Sequence, residues 1–261
     1  MKCKYLVLSA VLVFAGLQAQ AQASILLGSA GSFGLLGGSG VSNTGSSVIN
    51  NGNVGSSPTP AVTGFPPGVV NNGILFTTAD PVTAQAHTDL ITAYAAAQSA
   101  PGGTPGPADL GGVSLDPGVY TYASTAPWTA GTLTLNGLGD TNAEWIFQIG
   151  SDLTTPAGAT MVLINGASPD HVFWQIGSSA TLGAANNFAG NILALTSITL
   201  GGGTLDGRAL AINGLVSITS AETVNAPEPG RLLSFGSALV ILFAFKMARS
   251  GLKLPGMPAR S

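Results

Sequence analysis

The stretch from His171 to Thr219, HVFWQIGSSATLGAANNFAGNILALTSITLGGGTLDGRALAINGLVSIT, decides the fold. It is a series of short apolar strands that nearly repeat. WQIGSSAT at 174–181 restates FQIGSDLT at 147–154, an offset of 27 residues, and GRALAI at 207–212 restates GNILAL at 190–195, an offset of 17. Within each unit an apolar segment ends in Gly, Thr or Asn, a Ser/Thr–Leu/Ile segment follows, and a polar, Gly-rich corner closes the unit. Self-similarity at about 20 residues marks a solenoid whose coils stack on one another. The units are too short for two helices. Ile198 and Leu200 alternate with Ser197 and Thr199, a strand pattern with one face buried. The reading is an all-β solenoid, irregular because the offsets are unequal.

Composition narrows the function. Only 7% of the 261 residues are charged, against roughly 25% in an ordinary soluble domain, and 37 are Gly. A chain so poor in cations lacks the basic patch that neutralises phosphates, which excludes a nucleic-acid partner. With 45% hydrophobic residues it is not a disordered polymer, so the Gly and Ser belong to tight coils and turns. The surface is therefore built of Ser, Thr, Asn, Gly and Ala. The single cysteine, Cys3, lies in the leader, so no disulfide is expected in the mature protein.

Both ends read as addresses. Residues 1–23 carry Lys2 and Lys4, an apolar run over 5–17 and Ala21-Gln22-Ala23, the order of a signal peptide with an A-x-A cleavage site. The run is too short to span a bilayer, and the mature chain is expected to start at Ser24. At the other end Ala226-Pro227-Glu228-Pro229 precedes an apolar run over 232–245, then Lys246 and Arg249. Residues 226–261 resemble the PEP-CTERM sorting signal of Gram-negative bacteria. That resemblance implies transient membrane association through 232–245, an exosortase-type processing enzyme and a secreted or cell-surface destination. A plain C-terminal membrane anchor is the alternative, and it too leaves residues 24–225 outside the cytoplasm.

One convincing helix interrupts the strands. Asp80 is a good N-cap and Pro81 suits the first helical position. Val82, Ala86, Leu90, Ala93, Tyr94 and Ala97 then fall on one stripe, and the helix should stop before Pro101-Gly102-Gly103. Such a helix should lie along the stack, covering the apolar face supplied by 145–149, 172–176, 192–195 and 209–212.

Taken together, VSNTG, GFPPGVV, AQAHTDLITAYAAA, LGGVSLDPGVY, GTLTLNGLGD, WIFQIGSDLTT and the opening segment resemble the microbial ice-binding (antifreeze) proteins. The matching pieces cover residues 26–224 in order. The resemblance implies a discontinuous right-handed three-sided β-helix with one long α-helix packed alongside, N-terminal strands joining C-terminal coils. It also implies a monomer that binds an ice crystal surface through a flat face, without cofactor or metal. In that family the ice-facing segment often reads T-A/G-x-T/N. The segments that match are Ala184-Ala185-Asn186-Asn187 and Gly202-Gly203-Thr204. From these, Ala184, Asn186, Gly202 and Thr204 are expected on the ice-facing side, with Thr155, Ala157, Ala159 and Thr160 from the preceding coil. Ser42 and Thr44 lie in the N-terminal strand that the family places near the same face. A grid of small hydroxyl, amide and methyl groups, about 4.8 Å between coils and about 6.7 Å along a strand, can hold an ordered water layer.

Two other functional classes compete with this reading. Some β-helices act on acidic polysaccharides, but catalysis there needs clustered carboxylates or a base beside a positive clamp. Asp109, Asp116, Asp140, Glu144, Asp152, Asp170, Asp206 and Glu222 fall mostly at turns, and Arg208 reads as tying down a corner. His87 and His171 are far apart and make a weak metal case. An extracellular matrix or adhesin-type protein associated with exopolysaccharide is the more serious alternative. Intact-mass measurement of exported protein should find a chain that begins at Ser24 and ends near Pro227–Pro229; retention of 232–245 would favour the membrane anchor.

Overall fold

A computed structural model describes residues 24–227, so the expected leader and the sorting tail from 228 onward lie outside the described residues. The offsets noted in the sequence are the registers of the sheets. Trp145–Ile149 pairs in parallel with Val172–Ile176, setting Phe147 opposite Trp174, and Asn186–Ala194 pairs with Gly203–Ala211, setting Gly190 opposite Gly207.

Each coil has three sides. From Val172–Ile176 the chain turns into Ala180–Leu182, turns again into 186–189, and bends at Gly190 into 191–194, which stacks on 173–176. Gly190 has φ +111°, and a Cβ there would lie 2.8 Å from Val172 Cγ1, so the bend needs glycine. Apolar residues of all three sides point inward. A file of aromatic rings fills the interior, with Phe147 and Trp174 stacked at 3.9 Å and Trp174 tilted on Phe188 at 5.0 Å.

The stack is discontinuous, as the resemblance implied. The N-terminal strands Phe33–Gly37, Gly40–Asn43 and Val48–Asn50 pair with the last coil, formed by 207–211, Leu215–Ile218 and Glu222–Asn225. A second N-terminal turn, Asn53–Ser56, Val62–Thr63 and Val69–Asn71, finishes that end. Thr104–Pro105 and Ser114–Leu115 begin the opposite end. The helix, Pro81–Gln98, carries the chain between the ends; its 18 residues span about 27 Å, five to six strand spacings.

Helix packing follows the sequence with one correction. The Asp80 carboxylate accepts from Val82 N at 2.8 Å, and Thr83, Ala86, Leu90, Ala93, Tyr94 and Ala97 are buried, while Val82 is 47% exposed. Thr83 begins the inward stripe because 83, 86, 90, 93 and 97 keep the three–four alternation; Val82 sits about 100° away. The stripe packs on Val119, Ile146, Phe173, Leu193 and Leu210, with Phe33 and Leu36 from the N-terminal coil. Gln148 Nε2 donates to the carbonyls of Ala97 at 2.9 Å and Ala100 at 3.0 Å, satisfying oxygens that a helix C-terminus leaves free. His87 Nε2 lies 2.7 Å from the Ile212 carbonyl, so this histidine fastens the helix to the stack.

Among the described residues, Arg208 and Glu222 are charged groups buried in the coils. The Arg208 guanidinium donates to Gly31 O at 2.9 Å, Asn191 Oδ1 at 2.8 Å, Asp170 Oδ1 at 3.2 Å and Pro227 O at 2.6 Å, so it does tie down a corner. The Glu222 carboxylate accepts from Gly202 N at 3.1 Å, and burial pushes its pKa up to about 7.

Leu90→Asp should cost on the order of 3 kcal/mol or more by placing an unpaired carboxylate under the helix, whereas Asn187→Asp on the exposed surface should change little; equal melting points would overturn the docking of the helix. Because Glu222 holds its proton more tightly when folded, its contribution is complete below the unfolded value near 4.5 and is lost as pH rises to about 7. Glu222→Gln should therefore flatten the fall of stability across that window, by up to ~1.4 kcal/mol per pH unit, in melting curves taken from pH 4 to 8.

Candidate functional site: the broad face

Two sides of the coil are open among the described residues; the helix covers the third. The broader open side contains Thr132–Asn136, Thr160–Ile164, the 186–189 and 203–206 parts of the two long strands, Glu222–Asn225, Val48–Asn50 and Val69–Asn71. Each strand presents a small residue outward immediately before an apolar one inward: Thr132-Leu133, Thr160-Met161, Asn187-Phe188, Thr204-Leu205, Thr223-Val224 and Val48-Ile49. The pairing aligns the outward residues in one row, Thr132, Thr160, Asn187, Thr204, Thr223, Val48 and Val69, each opposite the next. Neighbours in that row stand about 4.8 Å apart.

A second row lies two residues further along, about 6.7 Å away. It runs Asp206, Asn225, Asn50, Asn71, and hydrogen bonds link its side chains. Asn225 Nδ2 donates to Asp206 Oδ1 at 2.7 Å, Asn50 to Asn225 Oδ1 at 2.9 Å, and Asn71 to Asn50 Oδ1 at 3.1 Å. Ser114, Thr134 and Val162 occupy the corresponding positions toward the other end. The broad face is thus a two-dimensional array, half of it braced by its own amides.

The structure divides the expected ice-facing residues. Thr160 and Thr204 stand in the outward row, and Ala157 and Ala184 are exposed at the corner beside it. Thr155, Ala159 and Asn186 are buried, and these three expectations are corrected. Register is the reason: Asn186 pairs with Gly203 and Asn187 with Thr204, so the period of two turns Asn186 inward. There its Oδ1 accepts from Thr155 Oγ1 at 2.9 Å and its Nδ2 donates to Gly183 O, while Gly183 N donates to Thr155 Oγ1 at 3.1 Å. The pair braces the corner from within. Gly202 is also buried, with its N–H given to Glu222. Thr132, Asn187 and Thr223 also stand in the outward row, and the alternation of small and apolar residues marks these positions in the sequence.

Ser42 and Thr44 fall elsewhere. Ser42 belongs to the narrower open side, where Thr154, Thr181, Thr199, Ser217, Ser42 and Thr63 form a single outward row. Its Oγ donates to Ser217 Oγ at 3.3 Å, and Thr44 is exposed at the corner leading to the broad face. The strands of this side are two to four residues long, and although Ser179 and Ser197 stand beside the row, Asp152, Leu215 and Phe65 interrupt the flanking positions, so its array is narrower and less regular than that of the broad face.

Several carboxylates serve turns. Asp109 accepts from the Thr129 hydroxyl, from Gly111 N at 2.8 Å and from Thr129 N at 3.1 Å; these bonds, the hydroxyl first, hold it below the ordinary carboxylate range. Asp152 is lowered likewise by the hydroxyl of Ser151 and by Ser179 N. Asp140 accepts from Asn142 N at 2.8 Å. Among the described residues no three metal-binding side chains converge.

Comparison with known proteins agrees with this architecture. An ice-binding protein of Nostoc sp. (strain HG1) is 48% identical, over 93% of this chain and 95% of that protein. The crystal structure of an ice-binding protein from an Antarctic biological consortium matches with a TM-score of 0.72 at 39% identity, covering 80% of this chain and 95% of that one. An ice-binding protein structure from the Antarctic ascomycete Antarctomyces psychrotrophicus gives 0.69 at 38%, covering 76% and 97%. With residues 35–224 matched by the ice-binding-like family model, the chain belongs to that family.

Proposed function

We propose that the protein adsorbs to ice through the broad face and so restrains ice growth or recrystallisation. One observation carries the reading: seven outward residues, five of them Thr or Asn, stand in unbroken register on parallel strands. Threonine offers a hydroxyl that can enter a water lattice and a methyl that shelters the neighbouring waters. A crystal plane cannot adapt, so many weak contacts must form together, which demands a flat two-dimensional array. The narrow side, with strands of two to four residues and its flanking positions interrupted by Asp152, Leu215 and Phe65, offers a smaller array. Adsorption needs no bond-making chemistry, which accords with Asp109, Asp140 and Asp152 being engaged at turns. The relatives' names support the same reading for this chain.

Further parts of the proposal rest on general rules. The coil is taken to be right-handed, the hand that parallel crossovers adopt in about 98% of cases. Export follows from the leader, and release or surface display from recognition of the Pro-Glu-Pro tail by an exosortase-type enzyme. The tail leaves exopolysaccharide as a possible second partner.

Thr204→Tyr should abolish most thermal hysteresis or recrystallisation inhibition with almost no change in melting temperature, because an outward side chain fills no core space. Thr199→Tyr, on the narrow side, should retain activity. The reverse pattern would move the working surface to the narrow side. A parent protein without activity on ice that binds exopolysaccharide would establish the adhesin reading instead.

A further inference from the structure

The first described residues enter a concavity whose chemistry the broad face does not use. Ser24, Pro117, Asp140, Asn142, Ala143, Glu144 and His171 line it. Ile25 is buried against the helix-side core and fixes the chain there. Its N–H donates to Glu144 Oε2 at 3.4 Å, and Ser24 lines the same concavity. Glu144 Oε1 is buried without a hydrogen-bond partner, as is His171 Nδ1. A desolvated carboxylate with one oxygen unsatisfied is costly, and burial raises the Glu144 pKa accordingly. The neighbouring charges do not resolve this: Asp140 bears the same sign, Asp170 pairs with Arg208, and His171 contributes only weak attraction.

The missing cation is implicit in the sequence. Ala21-Gln22-Ala23 places leader cleavage at the Ala23–Ser24 bond. The backbone nitrogen of Ser24 lies two bonds beyond its own carbonyl carbon, within about 4 Å of the Ile25 nitrogen that already touches Glu144. We propose that leader removal creates an α-ammonium on Ser24 that docks on Glu144, an ion pair the unprocessed chain cannot form. The step is hydrolysis by a signal peptidase: water adds across the Ala23–Ser24 amide, the carboxylate stays with Ala23, and the freed amine takes a proton. Processing then does more than detach the domain, because it completes the edge of the coil at Glu144.

Residues 24–227 contain no lysine, so the α-amine is the one primary amine of the folded domain. Exported protein should first show an N-terminus at Ser24. Acetylating its α-amine near neutral pH should lower the melting temperature by about 4 °C or more. The same treatment of Glu144→Gln should leave its melting temperature unchanged. The effect in the parent should vanish above pH ~10, since a cation's contribution is lost once pH passes its raised pKa. If Glu144→Gln fails to fold, the titration of the isotope-labelled α-amine decides: a value well above the ordinary ~7.7–8.0 supports docking. A different N-terminus, no response to acetylation, equal responses in parent and variant, or an unshifted amine would each overturn the proposal. None of these readouts depends on activity toward ice.

Discussion

Parallel, in-register hydrogen bonding between successive coils is the constraint from which the rest follows. It sets side chains of one kind above one another at about 4.8 Å for the length of the stack. Apolar residues so placed become a continuous core, and Phe147 on Trp174 is its densest point. Small polar residues become ordered rows. Charges in such a row would repel by roughly 1 kcal/mol per adjacent pair even in water. A composition of 7% charged residues is therefore a consequence of the architecture, and it also leaves the open faces compatible with ordered water.

Polar side chains make the repeating scaffold stiff. Thr155 and Asn186 clamp a corner from inside, and the Asp206–Asn225–Asn50–Asn71 ladder ties four strands on the outside. Arg208 joins four parts of the chain through one guanidinium. A surface that must match a rigid lattice benefits from such bracing, because an array already fixed loses little freedom on contact.

The solenoid, its registers and the helix were legible because each rests on spacing. Phe147 to Trp174 and Gly190 to Gly207 gave both the repeat and the pairing, and Asp80-Pro81 marked the helix start. The candidate face was legible only in part. The corner motif leads to the broad side of the coil, but placing Asn186 outward is a slip of one residue, and a slip of one reverses every side chain. Phe188 and Leu205 were the arbiters, since both must point inward. Ser42 went astray for another reason: the coil has two open sides lined by hydroxyls, and only the pairing of 40–43 with 215–218 shows which one it joins.

The discontinuity has a topological consequence. The first and last described segments meet inside the stack, two turns from one end, where Asn50 bonds Asn225 and Arg208 holds both Gly31 and Pro227. The two ends of the rod, near Val69–Asn71 and Thr104–Pro105, are close to each other in the chain. Most solenoids grow by adding repeats at an end, each new coil laid on the one before. Here the last coil is laid down inside the stack, against the N-terminal turns, so the rod is a ring of sequence closed by a clasp. Trimming either terminus would not shorten it but cut it in two, and slow non-local closure, not local zipping, is what completes the fold.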